Sequence, residues 1–167
     1  FYWPAIQAVW QSFLIEDAFG ISTEFVWFEN YRELFADPRY FKALTNTAVF
    51  SVLVCILSLS LALLFAVMAD RSIRGAEVYK TLLIWPYAVA PAIAGVLWIF
   101  MFDPSLGMLA RLLQSWGIPW NPRLDGGHAM TLVVLAATWK QISYNFLFFL
   151  AGLQSIPKSV IEAAVID

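Results

Sequence analysis

The chain has 167 residues, 61% of them hydrophobic and 17% aromatic against 13% charged, with a mean hydropathy of +0.72. Soluble domains are nearer half apolar and a quarter charged, so this balance excludes an ordinary water-soluble globule and points to a bilayer. The net charge of −2 without any basic run gives no footing for nucleic acid or an anionic membrane surface as a partner.

In chain order, residues Phe1 to Ile15 carry no charge but are too few to cross a membrane alone. They read as the closing part of a span, about 1–15, whose beginning lies before Phe1. Phe1-Tyr-Trp-Pro has no basic n-region and no small-residue cleavage site, so it does not read as a signal peptide. In the loop that follows, Trp27, Phe28, Tyr31, Leu34 and Phe35 recur at helical spacing with Glu29, Arg32 and Glu33 turned away. That pattern predicts a short amphipathic helix lying along the membrane surface.

Three charge-poor stretches then organise the chain: 43–69, 81–102 and 129–153. Each is at least about 33 Å long as a helix, enough for a hydrocarbon core of roughly 30 Å. Runs this long and unalternating exclude a barrel, so with the partial first segment they predict four helical crossings in one all-α, multi-span membrane domain over 1–167. Thr45-Asn46-Thr47, near the start of the second span, reads as a cap or as interhelical hydrogen bonding rather than a solute site. Cys55 lies inside an apolar run with no second cysteine and reads as a small packing residue.

Arg71, Arg74, Lys80 and Lys158 crowd one short loop and the tail. Arg32, Arg39, Lys42, Arg111 and Arg123 are spread over two loops together about twice as long. The positive-inside rule therefore places the short loop and the tail in the cytoplasm. In the third span Pro86 and Pro91 each remove a backbone donor and bend the helix, freeing carbonyls that need other partners. Such bends suit a moving transporter and occur equally in static membrane helices.

After the third span, Asp103 is predicted to cap a helix with Pro104 at its first position, and Leu106, Leu109, Ala110 and Leu113 share a face. Pro119, Pro122 and Gly126-Gly127 mark an irregular outer loop. His128, the one histidine, has no cysteine or carboxylate at ligand spacing and reads as a wet interfacial residue.

No G-x-x-x-x-G-K-[ST] loop is present and no nucleophile–base–acid arrangement can be read, so an enzyme is not predicted. The three full spans contain no Asp or Glu, although proton- and sodium-coupled carriers commonly place a carboxylate there. Lys140 stands near the middle of the last span, where its side chain cannot snorkel easily to the headgroups. Ser143 and Tyr144 follow at i+3 and i+4, and Gln141 and Asn145 form a second i, i+4 pair. Two readings stay open for this polar group, glue between helices and the lining of a path for a polar or anionic solute. Three functions are compatible at this point: an ATP-driven permease, an ion-coupled carrier and a non-transporting membrane anchor.

At the end, Pro157 stops the fourth span and Ser159-Val-Ile-Glu162 has capping-box spacing for a new helix, with Val160, Ile161, Ala164 and Val165 along one edge. Here the chain resembles a known family. NTAVF at Asn46, the third span ending Trp98-Ile-Phe-Met-Phe102, DPSLGMLARLL and TWKQISYNFLFFLAGLQSIPKSVIEAAVID resemble the membrane permease subunits of ATP-binding-cassette (ABC) importers that work with a solute-binding protein. Leu153-Gln-Ser-Ile-Pro157 with Glu162, Ala163, Ala164 and Asp167 is similar to the first half of that family's cytoplasmic coupling loop.

The resemblance implies the type I importer permease fold. It also implies that the segment 157–167 begins a coupling helix that an ATPase subunit grips. The implied partners are a second, related permease, two ATPase subunits and an extracytoplasmic solute-binding protein, in the cytoplasmic (inner) membrane of a bacterium. No cofactor is expected on this chain, and ATP and Mg are expected in the ATPase subunits. The stretch WKQISYNFLFFLAGLQSIP is most similar to members that carry sn-glycerol 3-phosphate, a phosphate ester that would suit Lys140; on the path reading of the polar group, Lys140, Ser143, Tyr144 and Asn145 are the expected contacts.

Overall fold

Long apolar runs cannot leave backbone groups unpaired in lipid, and here they fold into helices. The structure is a computed structural model that describes residues 2–17, 19–70 and 76–157. In chain order its elements are α1 (Tyr2–Gln11), β1 (Leu14–Glu16), β2 (Thr23–Phe25), α2 (Glu29–Ala36), α3 (Pro38–Asp70), α4 (Ala76–Ala88), α5 (Pro91–Met101), α6 (Met108–Ser115) and α7 (Gly126–Gln154). The chain divides into two units, one reaching to Val49 and the other starting at Phe50.

In the first unit β1 and β2 pair antiparallel, Leu14 opposite Phe25 and Glu16 opposite Thr23. Asp17 closes their turn by accepting from the Ile21 N–H at 2.7 Å, a bond that holds its carboxyl below the usual carboxylate range. Asn30 of α2 donates to the carbonyls of Ser12 and Leu14 at 2.9 and 3.0 Å, tying α2 to the hairpin. The Phe13 ring meets Phe25, Phe28 and Tyr31 in one aromatic cluster. The amphipathic helix expected from Trp27 begins two residues later, because Trp27 itself sits at φ +55 in a turn.

The helix α3 begins at Pro38, five residues before the apolar run, since proline's fixed φ suits the first helical position. Asp37 supports this start by accepting from the Arg39 N–H at 2.8 Å. Thr45 is therefore inside the helix, where its hydroxyl donates back to the Phe41 carbonyl at 2.8 Å. The expected cap at Thr45 is thus corrected to intrahelical bonding.

In the second unit α3 presents Ser58, Ala62, Ala66 and Ala69, all buried, as a stripe of small residues. The three alanines form one core with Phe146 and Leu150 of α7, against which Tyr79, Leu83 and Ile84 of α4 pack. Small residues let membrane helices approach closely, and dispersion then holds them.

Where one span is expected over 81–102, α4 and α5 meet at 100°. Pro86 is tolerated inside α4; the break falls instead at Ala90, whose ψ of 134° is extended. A residue preceding proline is pushed out of the helical region, so Pro91 fixes the break one residue upstream of itself. Among the described residues α3 and α7 are each long and apolar enough to cross a membrane, and the bent pair α4–α5 makes a third if it is one broken span and not a re-entrant loop.

A second core joins Phe102, Ala110, Trp120 and Leu132. The Trp120 indole donates to the Phe102 carbonyl at 3.0 Å, giving its one polar atom a partner inside that core. The expected cap at Asp103 is corrected: Gly107 is the cap residue and α6 starts at Met108, past Pro104 and Leu106. Asp103 folds a tighter turn instead, with its carboxylate accepting from the Ser105 hydroxyl at 2.6 Å, the Ser105 N–H at 2.9 Å and the Leu106 N–H at 3.1 Å, and from Arg123. These bonds, the Ser105 hydroxyl first, bring its pKa down to about 2. The cap of α7 is Asp125, which accepts from the His128 N–H at 2.9 Å.

Candidate functional site

The bend between α4 and α5 leaves a cavity of about 440 Å³ against α7. Its floor is Ala94 and Gly95 of α5 with Ala136 and Ala137 of α7, and the absence of bulk at these four positions leaves the room. Tyr87 and Tyr144 stand on one side with ring centroids 6.1 Å apart and planes at 29°. Trp98 is held from behind by stacking on Phe102 at 5.5 Å and by an edge contact with Trp139 at 5.9 Å.

Lys140 brings the only formal charge to this lining. Its Nζ donates to the Val89 carbonyl at 2.5 Å, and no ion pair to it occurs among the described residues. An ammonium in a low-dielectric setting needs such a partner, because an uncompensated charge there is expensive. The cavity therefore combines an apolar body, two phenol rings and one cation, a lining suited to a small polar solute with an anionic group.

The four residues expected along a path separate into three places. Lys140 and Tyr144 line the cavity; Tyr144 is 43% exposed, so this pair is not sealed among neighbours. Asn145 lies on the adjoining face of α7, donating to the Ser58 hydroxyl of α3 at 3.3 Å and accepting from Gln141 at 3.4 Å. There it ties helices together. Ser143 is 1% exposed, and its hydroxyl makes no hydrogen bond among the described residues.

The expectation that Ser143 shares the face of Lys140 is corrected on this point. A step of three residues on α7 carries it around toward Phe146 and the core, whereas the step of four brings Tyr144 back to the cavity. Glu162, Ala163, Ala164 and Asp167, the expected coupling residues, lie outside the described residues.

Three contributors were not singled out from the sequence: Tyr87, Trp98 and the Val89 carbonyl. The last had a signal, since an X-Pro step in a span predicts a carbonyl without its helical donor. His128 is half-buried; its ring packs on Trp120 at 4.9 Å, and Nδ1 accepts from the Asn121 N–H at 3.3 Å. Among the described residues no group of three or more His, Cys, Asp or Glu side chains could hold a metal.

This arrangement of helices is the fold of an ABC-transporter permease. Two crystal structures of bacterial ABC transporters share it. One is of a transporter importing the acidic polysaccharide alginate, with a TM-score of 0.76 and 19% identity over 99% of this chain and 57% of the other. The second is of an alginate transporter in complex with its pentasaccharide-bound periplasmic protein, with a TM-score of 0.75 and 20% identity over 99% and 55%.

In sequence the chain is related over its whole length to permease subunits named sn-glycerol-3-phosphate transport system permease protein UgpA. It is 60% identical to that of Brucella suis biovar 1 (strain 1330), 56% to that of Rhizobium meliloti (strain 1021) and 54% to that of Yersinia pseudotuberculosis serotype I (strain IP32953). All 167 residues are matched in each case, and the chain spans 57% of the length of these relatives. No protein-family model matches the sequence. The chain is thus membrane-embedded, similar over all its residues to transport-system permease proteins and alike in fold to ABC-transporter permeases.

Proposed function

We propose that this chain is part of the permease subunit of an ATP-driven importer and that the solute is sn-glycerol 3-phosphate or a closely related phosphorylated polyol or sugar. The observation that carries this reading is the similarity of all 167 residues to permeases of that name. The cavity gives it a chemical basis, since Lys140 can meet a phosphate with charge-assisted hydrogen bonds while the phenol and indole rings face the carbon skeleton. The chain itself catalyses no reaction in this scheme.

The solute-binding protein delivers the solute from outside, a second, related permease closes the path, and two ATPase subunits hold ATP and Mg on the cytoplasmic side of the inner membrane. Glu162, Ala163, Ala164 and Asp167 form the handle through which nucleotide-driven closure moves the spans. The apolar runs 43–69, 81–102 and 129–153 contain no carboxylate that could take up a coupling cation, which favours this reading over an ion-coupled carrier.

The test is reconstitution of the full-length permease with those partners in proteoliposomes. Uptake should require both ATP and the binding protein. Glu162→Lys should lower uptake by at least about tenfold, while ATP hydrolysis continues and the assembly still purifies intact. Uptake driven by a proton or sodium gradient without ATP would contradict the proposal.

A further inference from the structure

One hydrogen bond joins the α4–α5 break to Lys140, and the break and the bond have the same origin in the sequence. In a continuous helix the Val89 carbonyl would accept from the Ile93 N–H. With Ala90 extended before Pro91 that pairing does not form. A carbonyl without a donor is costly at membrane depth, and here it accepts from the ammonium of Lys140, 51 residues away in sequence.

We propose that Pro91 is a positioning residue for solute recognition: by breaking the span it bares the Val89 carbonyl, which tethers the Lys140 ammonium at the cavity wall. This rests on the reading that Lys140 meets a phosphorylated solute. A lysine on its four-carbon stem otherwise samples many rotamers, and the tether holds the charge where the solute arrives. A phosphate oxygen is the stronger acceptor, so an entering solute displaces the neutral carbonyl. When the solute leaves, the carbonyl takes the ammonium back, so the charge is neither left bare nor trapped by the cargo.

The assembled full-length transporter tests this with two variants. Pro91→Ala lets residue 90 become helical. Replacing residue 90 by the α-hydroxy analogue of alanine turns the Val89–Ala90 amide into an ester, which weakens the Val89 carbonyl as an acceptor without altering any side chain. The Ala90 N–H lost in that variant donates to no backbone carbonyl, so the ester variant keeps the test alive if Pro91→Ala fails to assemble.

The first readout is the rate at which a small acetylating reagent modifies Lys140, followed by mass spectrometry. Loss of the tether should raise it about tenfold, as expected for one charge-assisted hydrogen bond. The second is the KM for sn-glycerol 3-phosphate presented by its binding protein. It should rise severalfold in either variant, and neither change should raise it further in a protein that already carries Lys140→Met.

An unchanged acetylation rate in both variants overturns the tether. A KM that multiplies in the double variant shows that Pro91 acts on the scaffold and not through Lys140, which also overturns the proposal. A faster acetylation with an unchanged KM removes the tether from recognition. If Lys140→Met alone then leaves KM unchanged, the fault lies in the solute reading itself; if it raises KM, the fault lies in the tether alone.

Discussion

Lys140 and Asp103 are both charged, but their surroundings ask different things of them. Lys140 has a backbone carbonyl and a cavity beside it, while the Asp103 carboxylate accepts from hydroxyl, amide and guanidinium donors close by. The carboxyl of Asp103 titrates near 2 instead of 3.8, so its contribution to stability is complete above about pH 4 and is lost as the pH falls toward 2. Thermal unfolding of the detergent-solubilised protein should show that loss between pH 4 and 2. In Asp103→Asn the same interval should be flatter.

Gly107 is fixed by a different constraint. A Cβ there would lie 2.4 Å from the Met101 carbonyl oxygen and 2.6 Å from the Asp103 nitrogen, both backbone atoms with little room to yield. Gly107→Ala should therefore destabilise the protein by about 2 kcal/mol, read as a lowered midpoint in the same unfolding measurement.

At the scale of elements, the long spans were legible because a hydrophobic run of membrane length has few alternatives to a helix. α3 and α7 contain the runs 43–69 and 129–153 and extend beyond them only where a cap or proline sets the end. The bend in the third span was legible from Pro86 and Pro91, but not its position, which depends on the conformation of Ala90. The hairpin β1–β2 left no readable trace, since three-residue strands carry too little alternation to announce a period. The start of α6 was misplaced because Asp103 has the chemistry of a helix cap and of a tight turn alike. In the fold its carboxylate closes the turn onto Ser105 and Leu106, and α6 starts only after Gly107.

The site was legible in part for a related reason. A lysine at mid-span marks itself by its cost, but which of its neighbours on α7 share its cavity depends on where α4 and α5 pack. Ser143 and Asn145 face other helices in consequence. The small-residue stripe of α3 makes its own prediction. Ala62, fully buried against the α7 core, has no space for a larger side chain, so Ala62→Leu should cost about 1–3 kcal/mol and lower the detergent unfolding midpoint. The exposed Val52→Leu substitution should leave it within about 0.5 kcal/mol of the parent.

For the whole molecule, the large apolar side chains left exposed on α3, α5 and α7 suit a surrounding of lipid. In the proposed function the cavity between α4, α5 and α7 would let the permease select its solute by chemistry, beside any selection made by a binding protein. The most direct measurement is uptake by the reconstituted importer carrying Lys140→Met, with sn-glycerol 3-phosphate and an uncharged analogue each presented by the same binding protein. The account predicts that uptake of the phosphorylated solute falls at least about tenfold more than that of the uncharged one. Equal losses for the two solutes would contradict it and leave Lys140 as scaffold.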